Sequence, residues 1–293
     1  MTTLRERLLD RLPMAERQLD LAGVPTAVLE GGDGPPLVLL HGQGEFAAAW
    51  MRIIPDLVTT HRVVAADLPG HGASGVGDGA LDRDRLLAWL DELIARTCQT
   101  PPVLVGHLLG GAIAARFAVR HSERVDRLVL VDTCGLRWYR PTAGFGLAML
   151  GFMARPTDHS RDRLFQQCFV DLDSLREQMD GDMELLEAYA LDGARNPRLK
   201  AALRALMPRF GMPPIAPEDL ARITVPTTLI WGRHDLQTPV RTAEAAAARL
   251  GWPLHVIDDA ADDPAHEQPD AFLDVLRAAL DDTPRPSDHR STS

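Results

Sequence analysis

The sequence offers no covalent or metal staple. Its three cysteines, Cys98, Cys134 and Cys168, are odd in number and far apart, and no Cys/His spacing matches a zinc site. A chain of 293 residues can bury a large core without either device, so the cysteines read as reduced thiols of a cytoplasmic protein. Long apolar runs are also missing. Nothing approaches the ~18 residues of a membrane span, and the charged stretch MTTLRERLLDRLP at the start lacks the apolar centre of a secretory signal. Positive charge is in the minority. A formal net charge of -10 leaves no broad footprint for nucleic acid or an anionic membrane. No phosphate-binding loop is present, and Gly31-Gly32-Asp33-Gly34 precedes a strand rather than a helix, which excludes a dinucleotide fingerprint there. The expectation is a chain with no cofactor, no metal, and no nucleic-acid or membrane partner.

What remains is an ordinary globular composition, 45% hydrophobic and 25% charged. Residues 3–12 read as a short helix. Gln18–Leu21 and Thr26–Leu29 alternate around Gly23-Val24-Pro25 and read as a hairpin. Short apolar runs follow at Leu37–Leu40, Val63–Ala66, Val103–Val105, Leu128–Val131, Thr227–Ile230 and Leu254–Ile257. Runs this apolar suit parallel strands buried on both faces. Helical patterns at Leu86–Thr97, Leu109–Arg120, Arg241–Leu250 and Ala271–Leu280 lie between or after them. The alternation predicts an α/β fold, a doubly wound and mostly parallel sheet.

From about Leu136 to Ile215 no strand is apparent. Helix formers dominate, with aromatic residues scattered among them, so this stretch reads as a helical lid. The expected divisions are residues 1–135 for the first part of the core, 136–215 for the lid, 216–281 for the second part of the core, and 282–293 for a polar, Pro-containing disordered tail. An insert placed after a sheet strand sits near the end of the sheet where α/β folds bind ligands. Trp138, Tyr139, Phe145, Phe165 and Phe169 are therefore candidates to line a pocket, with helical core packing as the alternative.

Five motifs lie in order. Leu37 to Gly44 is a strand running into His41-Gly42-Gln43-Gly44. Asp67-Leu68-Pro69-Gly70-His71-Gly72-Ala73-Ser74 is a loop. Val105-Gly106-His107-Leu108-Leu109-Gly110-Gly111 is a strand, a sharp turn and a helix start. Trp231-Gly232-Arg233-His234-Asp235 follows a late strand, and Glu267-Gln268-Pro269 opens the last helix. In this order and spacing the set resembles the α/β-hydrolase superfamily over roughly residues 17–281, which implies an α/β-hydrolase fold with a helical lid.

That resemblance implies a nucleophile elbow, G-x-S-x-G, at Gly106 to Gly110. Leucine at position 108 has no lone pair or proton and forms no acyl-enzyme. Asp235 matches the acid of the family's triad, and Asp262, in Ala260-Ala261-Asp262-Asp263-Pro264, stands where its histidine is expected. His266 is the nearest rescue candidate, and His255 falls within the last strand. The oxyanion-binding N–H groups would come from Leu109 and from near Gln43, with His41 and Gly42 shaping that turn. His107, Asp67 and Ser74 read as structural.

Asp235 and Asp262 are the candidate catalytic pair. Two carboxylates facing each other at ~4 Å repel by about 4 kcal/mol at an effective dielectric of ~20, enough to keep one protonated near neutral pH. The alternative is that Asp262 turns to water. Leu108 would form an apolar floor beneath a peptide or hydrophobic ligand. The missing triad is similar to that of an atypical group of α/β-hydrolase proteins from peptide natural-product pathways, the group of the bottromycin peptide epimerase. This second resemblance implies an isomerase that moves a proton at a carbon next to a carbonyl in a modified peptide. A non-catalytic binding protein for a hydrophobic or peptide ligand, and a residual hydrolase using a non-standard base such as His266, are the other two readings.

Overall fold

A computed structural model describes residues 2–281; the tail expected at 282–293 lies outside the described residues. After a helix α1 (Leu4–Leu9), strands β1 (Ala15–Leu21) and β2 (Val24–Gly31) form the hairpin. Both run longer than the alternating residues suggest. The turn is only Ala22-Gly23, each with positive φ (49° and 73°), so Val24 and Pro25 belong to the strand. β2 pairs with β4 (Arg62–Ala66) only over Val28–Gly31, and Pro25 falls outside that paired stretch.

The remaining strands are β3 (Pro36–Leu40), β5 (Val103–His107), β6 (Arg127–Val131), β7 (Thr227–Gly232) and β8 (Leu254–Ile257). Together they make an eight-stranded sheet in the order β1-β2-β4-β3-β5-β6-β7-β8, antiparallel at β1, β2 and β4 and parallel from there on. β3 and β5 are buried along their whole length. Alternate residues feed two cores: Val38 and Leu40 face one, Leu37 and Leu39 the other. Helices cover both faces, among them α2 (Ile54–Leu57), α3 (Arg83–Thr97) and α4 (Leu108–Arg120).

After β6 come the helices α5 (Ala143–Ala154), α6 (Asp158–Cys168), α7 (Leu172–Gln178), α8 (Asp182–Arg195) and α9 (Pro197–Leu206), the last running into a π-turn at Met207–Gly211. Phe145, Phe152, Leu164 and Leu191 make a small core of their own. Leu172, Leu175 and Met183 instead join the core under the sheet, so this insert is anchored as well as self-packed. A short helix α10 (Pro217–Leu220) leads into β7, and α11 (Arg241–Leu250), α12 (Pro264–Glu267) and α13 (Pro269–Asp281) complete the chain as far as it is described.

The sheet order reverses at β3, whose neighbours are β4 on one side and β5 on the other. A crevice opens outside the carboxyl ends of the strands at such a point. The turn after β3 and the turn after β5 therefore come to lie side by side, beneath the inserted helices.

Candidate active site

The elbow between β5 and α4 keeps its sharp geometry without its nucleophile. Leu108 has φ of 44°, a left-handed conformation that costs a branched side chain roughly 1 kcal/mol or more. The glycines beside it are forced by close approach: a Cβ on Gly106 would meet the Gly111 Cα at 2.5 Å, and one on Gly110 would meet the Leu40 carbonyl at 2.3 Å. Gly110 N–H donates to the His41 carbonyl at 3.1 Å, which ties the elbow to the turn after β3. Leu108 is buried against Ala112, Cys134 and Tyr139, and also forms part of a cavity wall.

Helix α4 begins at the elbow, so the N–H of Leu109 has no acceptor within the helix. It and the N–H near Gln43 are the oxyanion donors implied by the sequence. His41 supports them from behind. Its Nδ1–H donates to the Gly42 carbonyl at 2.7 Å and its Nε2 accepts from Leu68 N–H at 2.9 Å. Burial pushes its pKa down to about 4, in keeping with the neutral ring those bonds require. Gly42 N–H is held by Glu45 Oε2 at 2.7 Å. His41, Gly42 and Leu109 thus shape the turn rather than wall the cavity.

The two aspartates are each held by other groups. Asp235 is consumed by its own turn: Oδ1 accepts from the N–H of Gln237 at 2.6 Å and of Thr238 at 2.8 Å, and Oδ2 accepts from the Thr238 hydroxyl. Gln237 then stands between the carboxyls, its Nε2 donating to Asp262 Oδ2 at 3.3 Å. Among the described residues no hydrogen bond joins Asp235 to Asp262. Asp262 does not turn to water; it is 7% exposed and lies on the cavity wall, whereas Asp235 lies on a separate groove. Burial first, and the charge of Asp235 second, hold the Asp262 carboxyl well above the usual carboxylate range. Burial raises the Asp235 carboxyl as well, against the hydrogen bonds from Thr238 and Gln237 that lower it.

Several polar groups here escape a motif reading. Asp132, at the end of β6, has φ of 41° and a buried Oδ2 with no partner, while Oδ1 accepts from Gly232 N–H at 3.0 Å. Burial and then Asp235 raise its pKa well above the usual range. His107 lies 3.4 Å from Glu45 and donates through Nε2 to the Asp262 carbonyl at 2.6 Å. Although burial opposes charge on both, each stabilises the ionised form of the other, so Glu45 is lowered and His107 raised. The sequence carries signals for two of these: an aspartate directly after an apolar strand, and a glutamate three residues beyond an HG turn.

His266 has the most usable geometry. Asp263 caps α12 by accepting from His266 N–H at 3.2 Å, and its Oδ2 also holds His266 Nδ1 at 2.6 Å. The opposite ring nitrogen, Nε2, is buried and has no partner. Despite burial, Asp263 raises the His266 pKa above its ordinary value. His266, Asp263, Asp262, Gln43 and Leu108 all border one cavity of about 210 Å³.

Its remaining wall is mostly apolar and includes Phe145, Phe165 and Phe169, three of the five aromatics expected there. Tyr139 and Trp138 are placed elsewhere. Tyr139 packs behind Leu108 and donates its hydroxyl to Gln237 Oε1 at 3.0 Å. Trp138 is 60% exposed and borders a second hollow.

A doubly wound sheet with a strained strand-to-helix turn at its switch point and a helical cover defines the α/β-hydrolase class. The pattern of the Alpha/beta hydrolase family matches residues 37–275, and the chain belongs to that family. The 2-hydroxy-6-oxo-6-(2'-aminophenyl)hexa-2,4-dienoic acid hydrolase of Metapseudomonas resinovorans is 30% identical over 237 residues, which cover 78% of this chain and 77% of that protein. A 2-hydroxy-6-oxononadienedioate/2-hydroxy-6-oxononatrienedioate hydrolase of Klebsiella pneumoniae is 28% identical, covering 84% of this chain and 87% of its own. The solved 2-hydroxy-6-oxo-6-phenylhexa-2,4-dienoate hydrolase of Rhodococcus sp. strain RHA1 superposes with a TM-score of 0.78 at 24% identity, over 91% of this chain and 98% of that one. These similarities support an enzyme family composed mainly of hydrolases, and none of these three relatives is an epimerase.

Proposed function

We propose that this protein hydrolyses a small apolar carbonyl compound, an ester or an oxo acid, by direct attack of water rather than through an acyl-enzyme. The observation that carries the reading is the His266–Asp263 pair. One ring nitrogen is oriented by a carboxylate at 2.6 Å, the other is buried and unpartnered, and the residue borders the cavity. An oriented imidazole with a free nitrogen is what a general base requires. Water gives its proton to Nε2 as its oxygen bonds to the carbonyl carbon. The developing oxyanion sits against the N–H of Gln43, which borders the cavity, with the N-terminus of α4 behind Leu108 adding favourable potential. The proton then passes to the leaving group as its bond to carbon breaks, leaving an acid and an alcohol or, for an oxo acid, two carbonyl-derived products. Leu108 takes no covalent part and excludes water from the face opposite the base.

The cavity also supports a choice of substrate. About 210 Å³ is below the ~300 Å³ at which drug-sized pockets begin, so it encloses one ring or short acyl chain rather than a modified peptide. The names of two of the relatives, both oxo-dienoic or oxo-dienedioic acid hydrolases, point to the same size of compound. The test is turnover of nitrophenyl esters and of a 2-hydroxy-6-oxo-dienoic acid by wild type and His266→Ala. Loss of the general base is expected to lower kcat by about 10²- to 10⁴-fold. Unchanged turnover in a folded His266→Ala protein refutes the proposal.

Proton transfer beside a carbonyl is a second reading, favoured by the Asp262 carboxyl, its pKa raised by burial, bordering the same cavity as His266. An acid and a base on one cavity can exchange an α-hydrogen. It is tested by deuterium uptake from D2O into an unhydrolysed carbonyl ligand; no uptake under conditions of binding removes it.

A further inference from the structure

The second hollow, of about 190 Å³, is separated from the main cavity by Leu108, Tyr139 and Gln237. Arg137, Arg140 and Arg241 converge on it, and Trp138 forms one side. Most arginines of this acidic chain are engaged by carboxylates or carbonyl oxygens. These three are not: among the described residues none of their guanidinium groups takes part in a hydrogen bond or ion pair. Of the carboxylates near them in sequence, Asp235 and Asp132 are buried, Asp235 held by Gln237 and Thr238 and Asp132 by Gly232 through Oδ1, while Glu244 is exposed in the first turn of α11 and makes no ion pair with Arg241 among the described residues. The hollow also opens at the start of α11, where Val240 provides no side-chain cap for the first N–H groups. Trp138 is a large indole left 60% exposed beside these cations.

We infer that this hollow is a separate binding site for a small anion carrying a flat apolar group, an aryl phosphate or aryl carboxylate. Arginine binds such oxygens through two parallel N–H bonds. The indole supplies a face for the ring, and the anion relieves three like charges gathered on one surface. The site is distinct from the hydrolytic cavity and stands or falls independently of the proposed reaction. Gln237 borders both, and its Oε1 accepts from Tyr139 while its Nε2 donates to Asp262, so occupancy is transmitted toward the wall of the main cavity through one side chain.

The experiment is calorimetric titration of the full chain with phenyl phosphate, with benzoate and with neutral benzamide, repeated on Arg137→Ala/Arg140→Ala and on Trp138→Phe. Saturable binding of at least one anion, none of benzamide, and about a 10-fold or greater loss in the double arginine variant are expected. Tryptophan emission of the wild type changes in step, and Trp138→Phe removes most of that change because Trp50, Trp89 and Trp231 are buried and the partly buried Trp252 does not line the hollow. A preference for phenyl phosphate or for benzoate assigns the anion type. No saturable binding of either anion, or equal binding by wild type and the double arginine variant, overturns the inference.

Discussion

At position 108 the side chain and the backbone disagree. A leucine holds a left-handed conformation that only a demanding local fold imposes, between glycines that admit no Cβ. The backbone is that of a nucleophile elbow and the side chain is a hydrocarbon wall. Replacing the residue tests how much of the family's covalent chemistry remains. Leu108→Ser alone is expected to stay unreactive toward a fluorophosphonate, because Asp262, not an imidazole, occupies the place of the base. Leu108→Ser with Asp262→His is expected to label, with intact mass as the readout. Labelling of the single variant to the same extent shows that another base, His266 first among them, already reaches position 108. Asp262 and Asp235 teach a related point. Their mutual influence follows from their positions in the sequence, but the intervening Gln237 amide does not, since a side chain's direction depends on its tertiary neighbours. Trp138 is legible as an aromatic in the insert and not as one outside the cavity, because periodicity carries no information about which side of the elbow a loop takes.

Among the elements, the strands are the most legible. β3 and β5 are short, wholly apolar and buried on both faces, which is the condition under which composition alone specifies a strand. The hairpin is legible but reads short, since Ala15 to Arg17 on its edge are exposed and show no alternation. The inserted helices are legible as a class and not as a packing arrangement: α5 is apolar nearly all round, so its sequence does not say which face meets the cavity. His266 is the clearest case of a residue whose role comes from its element. On a four-residue helix whose cap is Asp263, it is bonded through its ring to the residue that caps its own backbone. That local fold orients the imidazole without any distant partner, which is why a triad template applied to the sequence passes over it.

For the whole molecule, the buried titratable groups set the direction of stability with pH. His107 and His266 are raised, and Glu267 is raised to about 7 by burial despite backbone bonds from Val170 and Ala261. Asp132 and Asp262 are raised further by burial and by Asp235. Each of these binds more protons folded than unfolded once pH exceeds the unfolded value, so each loses its contribution as pH rises through its folded pKa. His41 and His71 are lowered by burial, to about 4 and about 3, and act oppositely, but only below the ordinary histidine range. Above pH ~6.5 every one of these shifts has the same sign. The melting temperature is expected to fall steadily from that pH into the alkaline range, and a melting temperature that rises over the same interval contradicts the upward shifts of these buried groups.

The catalytic proposal and the electrostatics meet at His266, which must lose its proton to act as a base. The decisive measurement is the pH profile of kcat/KM for ester or oxo acid hydrolysis, taken on wild type and on His266→Gln. A rate that climbs with pH through a single ionisation above the ordinary histidine value in the wild type, and that is both low and without that ionisation in His266→Gln, is the expected result. A His266→Gln protein that keeps the wild-type rate and the wild-type profile contradicts it.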